Sequence, residues 1–231
     1  MFLYYSNLKI NPGMKKFYRQ ILILLPFVVL FSSCVDMTRN IVLNKDGSGS
    51  EKMNINIGPQ FFKMMQGLAA LDTTKKVDVY NDSMIVTEIK KNFKQTDLIT
   101  LNDITSVNTP DSGKNLLVDY SFTNLRAIAL SLDDAEAEKS KSVIYMKEQG
   151  DVIKFYFEMA NEENVNENSS TSDLNEKLFD GKLFTMSIEF PYDVISSNST
   201  LQDGRKLTWV RPMNVISKPG SKEIFEAELK K

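Results

Sequence analysis

Beyond residue 38 the chain alternates apolar and polar residues over most of its length. Met53, Ile55 and Ile57 are separated by Asn54 and Asn56, the period of a strand with one buried face. A matching segment, residues 39–45, precedes Asp46-Gly-Ser-Gly-Ser50, and Asp-Gly is a strong hairpin signal. Strands are therefore predicted at 39–45 and 51–57. The period then changes. Gly58-Pro59 opens a helix, since a proline in the first turn loses no hydrogen bond. Phe61, Met64, Met65, Leu68 and Leu71 follow at helical spacing, and Phe62, Ala69 and Ala70 widen the stripe.

Residues 72–82 are polar and rich in turn formers. Asp82-Ser83 can cap a second helix, with Ile85, Ile89 and Phe93 at i, i+4 and i+8. Residues 79–89 also read as a strand, because Val, Tyr, Ile and Thr are frequent there; the helix is preferred. Strands return at 98–107 and 115–122, the second with Leu116, Val118, Tyr120 and Phe122 on one face. Thr123 or Asn124 then caps a short helix through Leu125, Ile128, Ala129 and Leu132. Residues 142–147 and 152–159 form a hairpin. Residues 160–176 hold five acids, no base and almost nothing to bury, which predicts a solvated loop. Phe184, Met186, Ile188 and Phe190, then Leu207 and Trp209, then Phe225, Ala227 and Leu229 continue the strand pattern. The sum is an α+β domain over 39–231: a mostly antiparallel β-sheet with two or three helices packed on one face.

The first 33 residues break this pattern. Lys15, Lys16 and Arg19 precede an apolar run of eleven residues, Ile21–Phe31, and then Ser32, Ser33 and Cys34. Positive, apolar and small residues in that order make a secretory leader, and the run is too short for a comfortable span of about 20 residues. Met14-Lys15-Lys16 is the natural start of such a leader and leaves 1–13 as an upstream extension. Phe31-Ser32-Ser33-Cys34 resembles the lipobox of bacterial lipoproteins, with Phe31 where Leu is commoner. The resemblance implies cleavage before Cys34, a diacylglycerol on its thiol, and residues 34–38 as a lipidated tether.

Composition narrows the chemistry. The chain has no His and one Cys, so His-based nucleophile systems, intrachain disulfides and cysteine metal knuckles are excluded. The leader holds four of the 28 basic residues and none of the 30 acids, which leaves the 198-residue mature part at net −6. A nucleic-acid partner is not expected from such a charge, and an anionic membrane would not attract the body electrostatically. Acyl chains would hold it instead, each buried CH₂ contributing about 0.8 kcal/mol. No second long apolar run follows residue 34.

Two longer stretches carry a further resemblance. Phe190-Pro-Tyr-Asp-Val-Ile-Ser-Ser-Asn198 and Asp203-Gly-Arg-Lys-Leu-Thr-Trp209 are similar to the C-terminal part of LppM-type lipoprotein domains. Leu43–Gly49 and Phe122-Thr-Asn-Leu125 look similar to the same family. The resemblance implies an envelope lipoprotein that lies against or binds membrane components, and it supplies no catalytic residues. Read directly, Pro191 ends a strand, Asn198 and Gly204 suit turns, and Trp209 belongs to a core.

Motifs for chemistry are scarce. Asn44–Glu51 fails as a calcium loop in either register and is explained as a hairpin turn. No phosphate loop, GxSxG or other cofactor motif occurs, so no cofactor, metal ligand or catalytic residue is assigned. Asp133-Asp134 and Glu162-Glu163 leave a carboxylate-dependent hydrolase as the least favoured reading. The expectation is a non-enzymatic protein of the bacterial cell envelope, lipid-anchored at Cys34, on the outer membrane facing the periplasm. An adaptable groove formed by Phe61, Phe62, Met64, Met65 and Leu68 would bind a lipid or another hydrophobic ligand. Ordinary packing of that helix on the sheet is the simpler account of the same residues. The alternative function is an interaction module that holds an envelope protein partner, through a strand edge or the acidic loop.

Overall fold

A computed structural model describes residues 35–63, 66, 81–93, 97–131, 142–161, 179–218 and 220–231. Strands dominate them. In chain order they are β1 (Val35–Leu43), β2 (Gly49–Ile57), α1 (Asp82–Phe93), β3 (Ile99–Asn108), β4 (Lys114–Phe122), α2 (Arg126–Leu130), β5 (Val143–Gln149) and β6 (Val152–Ala160). They continue as β7 (Leu183–Glu189), β8 (Asp193–Ser197), β9 (Leu201–Asp203), β10 (Lys206–Pro212), α3 (Met213–Ile216) and β11 (Lys222–Lys230). Residues 59–63 are also helical. No helix among the described residues is long and apolar enough to cross a membrane.

Two sheets form. The larger has seven strands in the order β3-β4-β2-β1-β7-β10-β9, and the smaller has four in the order β5-β6-β11-β8. Every pairing is antiparallel except β1 with β7. The chain crosses between sheets repeatedly, so neither sheet is a separate unit. β7 lies beside β1, β8 edges the smaller sheet, β10 returns to the larger one, and β11 inserts between β6 and β8.

Side-chain alternation makes the core. On the larger sheet Ile41, Leu43, Met53, Val118, Tyr120, Phe184, Met186, Ile188, Leu207 and Trp209 point inward; Ile153, Phe155, Phe157, Phe225 and Leu229 of the smaller sheet belong to the same cluster. Phe225 stacks on Phe157 with ring centroids 5.5 Å apart and meets Trp209 edge-on at 5.8 Å. Phe155 meets Phe190 edge-on at 5.1 Å. Such aromatic pairs contribute about 0.5–1.5 kcal/mol each beyond the area they bury.

Three expectations are corrected. The layer opposite the larger sheet is a second sheet, and the helices are short pieces placed apart. α1 lies against β3, α2 against β5, and α3 against β10 and β7. An inward face has the same period in either sheet, so alternation alone cannot assign a strand to one of them. Second, residues 35–38 are no free tether. β1 is central and opens at Val35, opposite Ile57, while Met37 pairs with Phe184 on the other side. Asp36 accepts hydrogen bonds from Leu183 N at 2.9 Å and Lys182 Nζ at 2.8 Å. Third, β8 and β9 were not foreseen. Both are edge strands, and all three residues of β9 are exposed, so no apolar alternation marks it.

Other readings hold. The turn between β1 and β2 closes through Asn44 N to Ser48 O at 2.9 Å, and the Asp46 carboxylate accepts from Ser48 N at 3.0 Å. Gly49 is required there, because a Cβ would lie 2.2 Å from the Val42 carbonyl oxygen and 2.7 Å from the Phe122 ring. Residues 82–93 form a helix. The cap expected at Thr123 or Asn124 is not formed: Leu125 is the N-cap of α2 with no side-chain cap bond, and the Asn124 carboxamide oxygen accepts from Arg126 N at 2.9 Å in the preceding turn.

Candidate functional site

Cys34, the leader, both acid pairs (Asp133-Asp134 and Glu162-Glu163), and Met64, Met65 and Leu68 of the expected groove lie outside the described residues. The described part of that groove is Phe61 and Phe62. Phe62 is 2% exposed, while Phe61 is half-buried and meets it edge-on at 5.8 Å. Phe62 is therefore part of the packed interior. Of the acidic loop, Ala160 closes β6, and Asn161 hydrogen-bonds to Ser221 O through its N–H and to Ser217 O through its side chain.

The densest polar cluster is one the sequence reading did not single out. Arg39 of β1, Glu51 of β2 and Tyr120 of β4 are each fully buried. Arg39 donates through Nε and Nη2 to the two Glu51 oxygens, at 2.5 and 2.7 Å. Nη2 also reaches Ser131 Oγ at 2.8 Å and the Ile128 carbonyl at 3.2 Å, which ties α2 to the sheet. The Tyr120 hydroxyl donates to Glu51, and Ser131 donates to the Ile128 carbonyl at 2.9 Å. Arg39 Nη1 is buried without a partner. Burial works against the Arg39 charge, but the Glu51 carboxylate and the Tyr120 hydroxyl outweigh it, so the guanidinium is held above its ordinary value. Burial, and then the Glu51 charge, push the Tyr120 phenol well above its own. A pair this deep is paired and hydrogen-bonded at a single geometry, and it offers no face to a substrate.

A second cluster joins α1 to the sheet. Lys114, 2% exposed, donates to Asp82 at 2.5 Å and to the Asn108 side chain at 2.8 Å. Ser106 also donates to Asp82, at 2.7 Å. The hydrogen bond from Lys114, then that from Ser106, hold the Asp82 carboxyl below its ordinary value. The interaction is thus complete at neutral pH and is lost as pH falls through the lowered folded-state value, beneath the unfolded one. In a carbon-detected NMR titration Asp82 should protonate below the usual Asp value of about 3.9, and Lys114→Met should raise it toward that value while Ser106 still donates. An Asp82 titration unchanged by Lys114→Met would remove this cluster.

The stretch from Phe190 to Trp209 is built around Asn198. Its carboxamide oxygen accepts from Trp209 Nε1 at 2.7 Å and from Glu226 N at 2.9 Å, and its amide donates to Ile224 O at 2.9 Å. One side chain thus pins β11 to β10, and Trp209 is fully buried beneath it. Gly204 turns β9 into β10 at φ 56°. These residues serve the fold. Asn198→Ala strands the buried indole N–H and should cost about 1–3 kcal/mol in urea unfolding; an unchanged midpoint would contradict the assignment.

Two further features lie on the surface. Tyr145 and Tyr156 stack at 5.2 Å on the outer face of the smaller sheet. The Tyr156 hydroxyl donates to Glu158 at 2.8 Å, which pushes its pKa up to about 12, and Lys222 holds Glu158 at 2.7 Å. This is a cross-strand ladder whose charges are met within the face. A shallow groove of about 360 Å³ lies along β9 and β10, lined by Leu201, Gln202, Asp203, Lys206 and Thr208.

The sequence matches no protein-family model and no curated protein. Among solved structures the fold is similar to the NMR structure of the folded domain of LppM from Mycobacterium tuberculosis. The TM-score is 0.42 at 10% identity, over 86% of this chain and 91% of that one. This is a likeness of chain path, and no residue role is carried across it.

Proposed function

We propose that this chain is a non-enzymatic lipoprotein of the bacterial cell envelope, anchored by acyl chains on Cys34 to the outer membrane and facing the periplasm. The observation that carries the reading is the order basic residues, apolar run, Ser32-Ser33, Cys34, ending on the chain's one cysteine. The position of β1 supports it, because this strand opens at Val35, directly after Cys34 in sequence. The body binds an apolar or membrane-derived ligand, and the half-buried Phe61 beside the end of β2 is its proposed contact.

Native mass spectrometry of residues 35–231 purified from a bacterial host tests the ligand. The expected spectrum carries a co-purifying hydrophobic mass that Phe61→Asp abolishes while circular dichroism stays unchanged. A clean apo mass, or retention by Phe61→Asp, would remove the groove.

A second reading has one observation in its favour. β5 edges the smaller sheet and exposes Val143 and Tyr145, and an open strand edge can pair with another chain. A photocrosslinker at Tyr145 would then trap one dominant envelope protein. A hydrolase has the least support, since Glu51, the buried acid among the described residues, is occupied by Arg39 and Tyr120.

A further inference from the structure

β1 has one near partner and one distant one. It pairs with β2 along its whole length, from Val35 opposite Ile57 to Leu43 opposite Gly49. On its other side lies β7, from Met37 opposite Phe184 to Val42 opposite Glu189. That pairing reaches furthest along the chain among the described strands: 147 positions separate Asp36 from Leu183, whose N–H the Asp36 carboxylate accepts. A hairpin forms locally in about 1–10 μs, whereas β7 must first be made and delivered. At a synthesis pace of roughly 5–20 residues per second, β7 follows β1 by on the order of 10 s. Until it arrives, one side of β1 is an open edge.

Closure then fixes the strand. Lys182 holds Asp36 at 2.8 Å, Met37 packs against the core, and Arg39 is locked to Glu51. An extended segment is read through backbone hydrogen bonds along a free strand edge. With β7 in place, β1 has no such edge from Met37 onward, and Asp36 is clamped by its side chain. Cleavage before Cys34 needs an extended segment on both sides of the bond, and Val35 is the first residue after Cys34.

We infer that hydrolysis of the Ser33–Cys34 bond precedes the docking of β7 on β1, and that the folded sheet blocks its own processing. The inference rests on the Cys34 anchor and says when that anchor is made. The step adds one water across the bond: Ser33 leaves as a carboxylate and Cys34 keeps the new amine. Once β7 has docked, cleavage follows the small population in which the end of β1 is open.

The test uses the full chain with its leader, accumulated in a bacterium whose signal peptidase is inhibited and extracted in mild detergent. Membranes carrying active peptidase are added, and cleavage is followed by intact mass. A variant with six Gly/Ser residues inserted after Cys34 separates the bond from β1 and leaves the sheet unchanged. Phe184→Asp puts a charge on the buried partner of Met37 and supplies an unfolded reference, checked by circular dichroism, with and without the insertion. The folded parent should be cut at least about tenfold more slowly than the folded insertion variant. The two should be cut equally fast in the Phe184→Asp background. Equal rates for the two folded chains overturn the inference and leave the anchor intact. A gap that persists in the unfolded background overturns it too, since the residues after Cys34, and not β1, would then set the rate. No cleavage before Cys34 in any of these chains overturns the anchor, and the inference with it.

Discussion

Glu51→Ala should destabilise the protein by about 3–5 kcal/mol, because it strands the Arg39 guanidinium in the core without its counter-ion. Both partners are fully buried, so water cannot replace the lost carboxylate. Total stabilities of single domains are only about 5–15 kcal/mol, so the variant should lie near the limit of folding. Three β-strands and α2 meet at this pair, and the urea midpoint should fall for the whole molecule. The double variant Arg39→Met/Glu51→Leu distinguishes pairing from mere bulk. Removing both charges together leaves no buried ion, the Tyr120 hydroxyl keeps Ser131 Oγ at 3.0 Å as a partner, and such replacements are often neutral or stabilising. The expected pattern is therefore a large loss for the single variant and substantial recovery for the double. A Glu51→Ala midpoint within about 0.5 kcal/mol of the parent, the range of ordinary surface changes, would show that the pair is not the anchor of α2.

Cys34→Ser should move the protein from the membrane fraction to the soluble one. A hydroxyl cannot carry the thioether, and the mature body at net −6 has no charge to hold it on an anionic surface. The measurement is fractionation followed by a carbonate wash. Undiminished retention of Cys34→Ser would point to the uncleaved run Ile21–Phe31 as the anchor and would contradict the lipoprotein reading.

Strands were the legible part of this fold, because each inward face carries its own period. Leu116, Val118, Tyr120 and Phe122 announce β4, and Phe155 and Phe157 announce β6. Grouping them was not legible: β6 and β11 share a sheet that β7 and β10 do not, and no local pattern says so. The buried ion pair left a signal that was passed over. Arg39 is in phase with Ile41 and Leu43, and Glu51 with Met53, so both charges fall on faces the alternation marks as buried. Opposite charges in phase on two arms of one hairpin are the pattern to look for. Ser131 and the Ile128 carbonyl complete the cluster from 92 and 89 residues away, which local sequence cannot reveal. The opening of β1 at Val35 was hidden for another reason: Val-Asp-Met-Thr carries little apolar weight, and its order comes from strands paired on both sides. Pro191, Asn198, Gly204 and Trp209 were read as turn and core residues, and the hydrogen bond from Trp209 to Asn198 explains why those two occur together.

The central claim is the anchor at Cys34, and intact mass spectrometry of the protein extracted from bacterial membranes tests it most directly. The account predicts a chain beginning at Cys34 whose mass exceeds that of residues 34–231 by a diacylglyceryl group, with fragmentation placing the addition on the first residue. A chain that begins elsewhere, or a Cys34 that retains its free thiol, would contradict it.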